Sequence, residues 1–212
     1  MLSQTAARPA PAPLAPDLPA AVFSMRFARD EEIYGEGEEA EYVYKVISGA
    51  VRTCAFDAEG RRQIEGFYLP GDLFGLECGA AHRFAAEALC DTEVAIMPRA
   101  ALDRAALDDG AAARALWSLA SEALRQTREH LLVLGKKGAA ERVVGFLLQM
   151  AQRCRGGVVR LPMSRTDIAD YLGLTIETVS RTFSKLERDG PIALEGARQV
   201  ALNLGRLNAF AA

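Results

Sequence analysis

The stretch SRTDIADYLGLTIETVSRTFSKLERD, residues 164–189, decides the fold of the C-terminal part of the chain. Apolar residues in its first third recur on one face of a short helix, for which Ser164 or Thr166 is available as N-cap. Gly173 then turns the chain, and Thr175 can cap a second helix that runs to the end of the stretch. The buried stripe of this second helix is expected to hold Ile176, Val179, Phe183 and Leu186. Two short helices joined by a glycine turn indicate a helix-turn-helix.

Polar side chains are expected on the outer face of the second helix, at Glu177, Ser180, Arg181 and Lys185. Arg181 can donate two hydrogen bonds to O6 and N7 of a guanine, Glu177 can accept one from the amine of a cytosine, and Ser180 offers a small hydroxyl. These three residues fall in the first two turns, where a recognition helix in the major groove presents its base-reading side chains. The alternative is that Glu177 and Arg181 form only a surface ion pair, which contributes about 0.3 to 0.5 kcal/mol.

The surroundings of this helix favour the DNA-reading interpretation. After it, Ile192–Leu194 and Gln199–Leu202 flank a glycine-containing turn, a hairpin pattern suited to the wing of a winged helix-turn-helix. Charge is also segregated, because residues 136–212 hold 12 Lys and Arg against 7 Asp and Glu, whereas residues 1–135 hold 13 against 21. Since phosphate neutralisation supplies most non-specific DNA affinity, double-stranded DNA is the expected partner of the C-terminal part.

The chain divides into four regions of different character. Five prolines in residues 1–21 remove backbone donors, so this region is interpreted as a disordered leader. Residues 22–108 contain short β-rich runs closed by glycine, which indicates an antiparallel β-roll resembling a jelly roll and suited to a sensor-like domain. A dimerisation helix is expected over 109–137, followed by the winged helix-turn-helix DNA-binding domain over 138–212. The predicted fold class is α+β.

The long helix, expected from Ala111 to Lys137, carries apolar or small residues at three- and four-residue steps, with two polar residues among them. The stripe consists of Leu116, Leu119, Ala123, Gln126, His130 and Leu134. This spacing lines one face of a coiled-coil seam and predicts a homodimer. The alternative is that the stripe packs on the β-roll of the same chain. Gln126 and His130 favour an interface, since buried polar side chains at a seam can specify register.

Export and metal-site patterns are both missing from the sequence. The apolar runs are too short to span a bilayer and no secretion signal is recognisable, so we expect a cytoplasmic protein without membrane contact. The cysteines, which lack CxxC spacing, are expected to be small buried residues or free thiols; they are Cys54, Cys78, Cys90 and Cys154. A metal-dependent β-barrel enzyme is the alternative from another class. It needs clustered ligands, whereas His82 and His130 lie on different elements.

These motifs resemble the Crp/Fnr family of bacterial transcription regulators over nearly the whole chain after residue 21. Ile47–Val51 and Gly66–Gly75 are similar to the β-roll turns of that family, and Asp167–Arg181 is similar to its helix-turn-helix. Within the last segment, the residues at 177, 180 and 181 follow the Fnr type of recognition pattern rather than the Crp type.

The resemblance implies a DNA site and a set of contacts. The expected site is an inverted repeat of the TTGA-N6-TCAA kind, with Arg181 on the guanine, Glu177 on the opposite cytosine or adjacent adenine, and Ser180 near a thymine. Backbone contacts, which fix register without reading sequence, are implied for Arg165, Thr175 and Thr178, and we assign the outward-facing Lys185 to the same role.

Two departures from the sequence patterns of the family narrow the range of functions that the resemblance implies. The N-terminal cysteine cluster that holds an iron-sulfur centre in Fnr-type oxygen sensors does not occur. The stretch Gly75–Ala85 lacks the Arg-Ser pair by which cyclic-nucleotide sensors hold the cyclic phosphate. The chain therefore resembles the FixK-like branch, which implies a cofactor-free activator of microaerobic and nitrogen-fixation genes. A small-molecule-gated regulator of the Crp type is the alternative. Activation implies contact with RNA polymerase, for which Asp57–Arg62 and Asp108–Asp109 are candidates.

Overall fold

The computed structural model describes residues 23–77, 79–135, 138–154, 157–196 and 198–211. The predicted leader and Cys78 lie outside the described residues, as does Lys137, the expected end of the long helix. The chain forms an N-terminal β-structure, three consecutive helices, and a C-terminal unit of short helices and strands. This order of elements confirms the predicted α+β fold class.

The N-terminal part is built from short strands: β1 (Phe23–Phe27), β2 (Glu32–Tyr34), β3 (Tyr42–Ser48), β4 (Val51–Phe56), β5 (Arg62–Tyr68), β6 (Leu73–Phe74), β7 (Ala85–Ala88) and β8 (Thr92–Pro98). They form two antiparallel four-stranded sheets, with the orders β1-β8-β3-β6 and β2-β7-β4-β5. Because successive side chains of a strand point to opposite faces, alternate residues of each sheet meet in the interior. This interior contains Phe27, Tyr34, Tyr44, Val46, Phe74 and Val94.

The turn between β3 and β4 requires glycine. Gly49 has a φ of 85°, in the left-handed region that L side chains rarely adopt, and a Cβ there would collide with Thr92. The Thr92 hydroxyl accepts from the Ala50 amide at 3.1 Å, and its proton lies within hydrogen-bond reach of the carbonyls of Cys90 at 2.6 Å and Ala50 at 3.0 Å. These bonds fix the turn against β8.

Three helices connect the two parts: α1 (Arg99–Asp108), α2 (Gly110–Leu134) and α3 (Ala139–Cys154). The long helix α2 begins where the Asp109 carboxylate accepts a hydrogen bond from the Ala111 amide at 2.9 Å. Near its start, α2 packs on the β-roll through Leu116. Near its end, Val133 of α2 is buried in the core to which α3 also contributes. None of the described helices combines the length and apolar character needed to cross a membrane.

The C-terminal part contains β9 (Val158–Arg160), α4 (Arg165–Leu172), α5 (Ile176–Asp189), β10 (Ile192–Leu194), β11 (Gln199–Leu202) and α6 (Leu204–Ala211). β10 and β11 form the antiparallel hairpin predicted as the wing, and β9 adds to its edge in the order β10-β11-β9. The sequence reasoning missed α6, which packs on α3 and buries Leu207 completely.

The predicted buried stripe of α5 is correct at three of its four positions. Val179, Phe183 and Leu186 are buried, whereas Ile176 is 41% exposed. Ile176 was wrongly assigned because it is the first residue of α5, and the packing of this helix on α3 and α4 buries side chains only from Val179 onward. Thr182 is buried in addition and donates its hydroxyl proton to the Thr178 carbonyl at 2.8 Å.

One hydrophobic core extends from the β-roll into the C-terminal part. Its members include Ile64 and Phe67 of β5, Phe146 of α3, Ile168 of α4 and Phe183 of α5. Cys54 is buried in the same core, and burial raises the pKa of its thiol to about 11, as for a structural cysteine. Cys90 and Cys154 are half-buried and not in disulfides.

Candidate nucleic-acid interface

Local capping fixes the first helix of the helix-turn-helix. Ser164, one of two predicted caps, accepts from the Asp167 amide at 3.1 Å, and the Asp167 carboxylate accepts from the Ser164 amide at 2.8 Å. This reciprocal capping box satisfies two backbone donors that would otherwise lack partners. The helix ends at Gly173, whose φ of 61° lets the chain turn directly into α5.

The second helix presents an open polar face. Its N-cap is Thr175, whose hydroxyl accepts from the Thr178 amide at 3.3 Å. Glu177, Ser180, Arg181 and Lys185 are all exposed, while the opposite face of α5 is buried. The three residues predicted to read bases therefore share one solvent-facing surface in the first two turns of α5.

A negative charge lies at the N-terminal end of this surface, on the carboxylate of Glu177. The pKa of Glu177 lies below its usual range, chiefly because the backbone amide hydrogen-bonds to the carboxylate, with the Thr175 hydroxyl and the Arg181 charge adding to the effect. Within the described part of the chain, no ion pair of 4.0 Å or less joins Glu177 to Arg181. Both side chains are exposed, so the carboxylate and the guanidinium can each reach a ligand.

The residues predicted to hold phosphates have different environments. Lys185 and Thr175 are exposed and Thr178 is half-buried. The guanidinium carbon of Arg165 lies 3.3 Å from the centroid of the Phe183 ring, and burial lowers the pKa of Arg165 to about 10. Arg165 therefore stays charged at neutral pH but also packs on the core of the helix-turn-helix.

Three of the six residues of the predicted α2 seam make contacts within the chain. Leu119 is buried, Leu116 packs on the cluster around Val43, and His130 stacks on Tyr171 of α4. Gln126 and Leu134 are half-buried and Ala123 is exposed.

A different face of α2 is open and apolar. Trp117, Leu124 and Leu131 are 75%, 50% and 61% exposed and recur every seven residues. The sequence reasoning missed this stripe, although its strict heptad spacing is visible in the sequence.

Aromatic side chains fill the interior of the β-roll near the stretch Gly75–Ala85. His82 is buried and stacks on Tyr34, with ring centroids 3.6 Å apart, and its Nδ1 lies 3.7 Å from a carboxylate oxygen of Glu77. Burial lowers the pKa of His82 and so keeps the ring neutral near pH 7. Among the residues that the structure describes, no group of three His, Cys, Asp or Glu side chains is arranged to hold a metal ion.

Comparison with known proteins gives matches to both parts of the chain. A cyclic nucleotide-binding domain model matches residues 24–109, and a Crp-like helix-turn-helix domain model matches residues 141–210. The nitrogen fixation regulation protein FixK of Azorhizobium caulinodans is 50% identical over 83% of this chain and 73% of its own length. The chain belongs to the Crp/Fnr family.

Within the Crp/Fnr family the similarity is to the FixK-like branch. FixK of Rhizobium meliloti is 45% identical over 80% of this chain and 77% of its own length. The solved structure of FixK2 from Bradyrhizobium japonicum superimposes with a TM-score of 0.85 at 51% identity, covering 90% of this chain and 97% of that one. Crp/Fnr proteins of this branch are regulators, so the alternative of a metal-dependent enzyme is wrong.

Proposed function

We propose that this Crp/Fnr protein is a cytoplasmic, homodimeric transcription activator that binds an inverted repeat of the TTGA-N6-TCAA kind without a cofactor. The observation that carries the proposal is the exposed row of Glu177, Ser180 and Arg181 on the first two turns of α5. The similar FixK proteins are named for nitrogen fixation regulation, so genes of nitrogen fixation and microaerobic respiration are the proposed targets.

Base reading follows from the chemistry of this row. Arg181 supplies two parallel donors for a guanine, and Glu177, held in its ionised form, supplies an acceptor for the amine of a cytosine or an adenine. Ser180 is short enough to let the helix approach the bases closely. Thr175, Thr178, Arg165 and Lys185 are the proposed phosphate contacts, which set the register of α5 in the groove.

Dimerisation is proposed through Trp117, Leu124 and Leu131. These large apolar side chains are exposed in the single chain, and exposed apolar stripes on a soluble protein mark contact surfaces. Heptad spacing suits a parallel pairing of two copies of α2, which brings two α5 helices to one side of the dimer. The stripe is flanked by Arg125, which pairs with Glu122 and Glu129 on the same helix and keeps the rim polar.

Effector independence is supported by the packing of the β-roll. The rings of Tyr34, Tyr44, Phe74 and His82 pack against one another in the interior of the β-roll. The Glu77 carboxylate accepts a hydrogen bond from the backbone amide of Arg83 at 3.3 Å, in the stretch beside these rings.

A ligand-gated regulator remains the second candidate, on one observation. A cleft of about 430 Å³ lies between β5, α2, α3 and α4, and its walls include Tyr68, Gln126, His130, Arg153 and Tyr171. A molecule bound there would touch the β-roll, the proposed dimerisation helix and the helix-turn-helix together.

RNA polymerase is the proposed protein partner of the activator. Of the two candidate loops, the β4–β5 turn is exposed at Asp57 and Glu59, which both pair with Arg61. Asp109 is engaged as the cap of α2, so Asp108 is the freer carboxylate of the other candidate.

The test is DNA binding by the purified protein with nothing added. We expect it to bind a TTGA-N6-TCAA duplex as a dimer, with a specific affinity of about 10³-fold or more over random duplex. Protein that binds both duplexes equally would refute the sequence-reading function. Protein that gains its preference only after a cell extract of small molecules is added would favour the ligand-gated candidate.

A further inference from the structure

An ionic cluster, buried at its centre, joins the β-roll to the helix-turn-helix. We define this junction cluster as Arg52 of β4, Arg62 of β5, and Asp167 and Asp170 of α4. Arg52 and Arg62 both donate to the same oxygen of Asp167, Oδ1, at 3.0 and 2.7 Å. Arg62 also donates through Nε to Asp170 at 2.9 Å. The side chains of Arg52 and Asp167 are only 9% and 5% exposed, so these charges interact away from bulk water.

Asp167 has two roles, divided between its two oxygens. Oδ1 faces the β-roll arginines, while Oδ2 accepts from the amide and the hydroxyl of Ser164 at 2.8 and 2.7 Å. The start of α4 is therefore capped and attached to the β-roll by one carboxylate. Because charge-assisted bonds are directional, this attachment fixes the orientation of α4, and of α5 behind it, more closely than apolar packing does.

The apolar contacts at the same junction leave that orientation less defined. Phe67 of the β-roll packs on Tyr171 of α4 with ring centroids 4.9 Å apart and planes at 46°. Such a contact tolerates sliding, since hydrophobic burial is non-directional. Buried ion pairs contribute little net stability compared with apolar residues of the same size, and their best-attested use is to select one arrangement.

We propose that Arg52 and Arg62 are positioning residues for DNA binding, which hold the recognition helix at the angle that a palindromic site requires. This inference rests on the proposed function as a palindrome-binding dimer. The two α5 helices of such a dimer must enter major grooves about one helical turn apart, so a change in the tilt of either helix-turn-helix alters the spacing that both can reach. The two arginines act on this spacing from the β-roll, through Asp167 and Asp170.

The experiment measures spacing preference. Duplexes carry the TTGA and TCAA half-sites separated by about four to eight base pairs, and a further duplex carries one half-site only. We expect the wild-type protein to prefer one spacing strongly. Arg62→Met is expected to reduce this preference by about tenfold, and to change half-site binding by less than about twofold, because the base-reading surface itself is intact.

Four further variants make the result specific. Arg61→Met is the matched control, since Arg61 is adjacent in sequence but, among the residues that the structure describes, pairs with Asp57 and Glu59 of its own turn and not with α4, and it should keep the wild-type preference. Asp170→Asn should behave like Arg62→Met, and the double variant should be no worse than either single one. Ser164→Ala removes the cap but not the arginine contacts, so it should lower stability without altering the spacing preference.

Each result has a defined meaning. A folded dimer of Arg62→Met, or of the milder Asp170→Asn if the first does not fold, that keeps the wild-type spacing preference would overturn the positioning role. Equal losses on the half-site and on every spacing would also overturn it, because they indicate general damage. Wild-type protein with no spacing preference would instead overturn the proposed palindrome binding, and the positioning role with it.

Discussion

The imidazole of His130 lies flat on the ring of Tyr171, with centroids 3.8 Å apart and planes 17° from parallel. His130 belongs to α2 and Tyr171 to the first helix of the helix-turn-helix, so the stack connects the proposed dimerisation helix to the DNA-binding unit. The Nδ1 atom of His130 is buried without a hydrogen-bond partner in the described structure. The sequence predicts this ring at an interface between two chains, and within one chain it already packs on the helix-turn-helix.

The first prediction concerns acid stability. Burial lowers the pKa of His130 to about 4 from an ordinary value of 6.5. Between these two pH values the unfolded chain binds a proton that the folded chain does not, so the free energy of unfolding falls as the pH drops from about 6.5 to about 4. His130→Phe keeps a ring on Tyr171 and should lose this part of the pH dependence. Urea unfolding of both proteins, at fixed protein concentration and at several pH values between about 4 and 6.5, measures this pH dependence of the free energy of unfolding. The same pH dependence in both proteins would contradict the prediction.

The second prediction concerns base reading by Arg181. Arg181→Ala should weaken binding to the palindrome by about 1 to 3 kcal/mol and relax the preference at the guanine, since the bidentate donor is lost. Binding isotherms with the palindrome, with base-substituted sites and with random duplex measure both effects. Asn208→Ala, on α6 and also exposed, is the control. If Arg181→Ala weakens binding to the palindrome and to random duplex equally, Arg181 does not read bases.

Arg165 should behave differently. Arg165→Ala is expected to weaken binding to all duplexes alike, and to reduce the salt dependence of binding, because it removes a phosphate contact. The same substitution removes the stacking of the guanidinium on Phe183, which should lower the free energy of unfolding by about 0.5 to 2 kcal/mol. Salt titrations of binding together with thermal unfolding separate the two effects. A loss confined to the palindrome would argue that Arg165 reads sequence.

The fourth prediction compares two neighbouring positions of α2. Leu124→Glu should yield monomers, since it puts a charge into the exposed apolar stripe, whereas Ala123→Glu should leave the dimer largely intact. Sedimentation velocity distinguishes the two species. The opposite result would restore the seam first expected from the sequence, and two intact dimers would move the interface to another surface.

The fifth prediction concerns the turn between α4 and α5. Gly173→Ala should lower the free energy of unfolding by about 1 to 2 kcal/mol, because φ at this position is 61° and no neighbouring atom compensates for the strain. Gly110→Ala, at the first position of α2 and without a positive φ, is the control and should be neutral. Chemical denaturation of both variants provides the comparison, in which equal stabilities would count against the strain argument.

The elements of the fold were largely predictable because local patterns determine them. The helix-turn-helix was recognisable from a cap, a glycine and a buried stripe within about twenty-five residues, and the wing from two short apolar runs. Ile176 was misassigned because periodicity alone does not tell where tertiary contacts along a helix begin. Missing α6 has a similar cause, since its short segment becomes helical mainly by packing on α3.

The long-range relationships were not predictable from the sequence. Asp167 is separated from Arg52 by 115 residues, and nothing in either local sequence indicates that the two side chains meet. Two stripes of suitable spacing coexist on α2. The packing of Leu119 and His130 inside the chain shows that residues of the first stripe already make contacts within one chain.

The continuous core of the molecule limits how its halves can be recombined. Ile64 and Phe67 of the β-roll share that core with Phe146 and Ile168 of the C-terminal part. A chimaera that grafts this recognition unit onto another regulator therefore needs side chains of matching shape on the new roll, or apolar surface would be left uncovered. Evolutionary exchange between such regulators is expected to proceed through coordinated substitutions on both sides of the junction rather than through the transfer of intact modules.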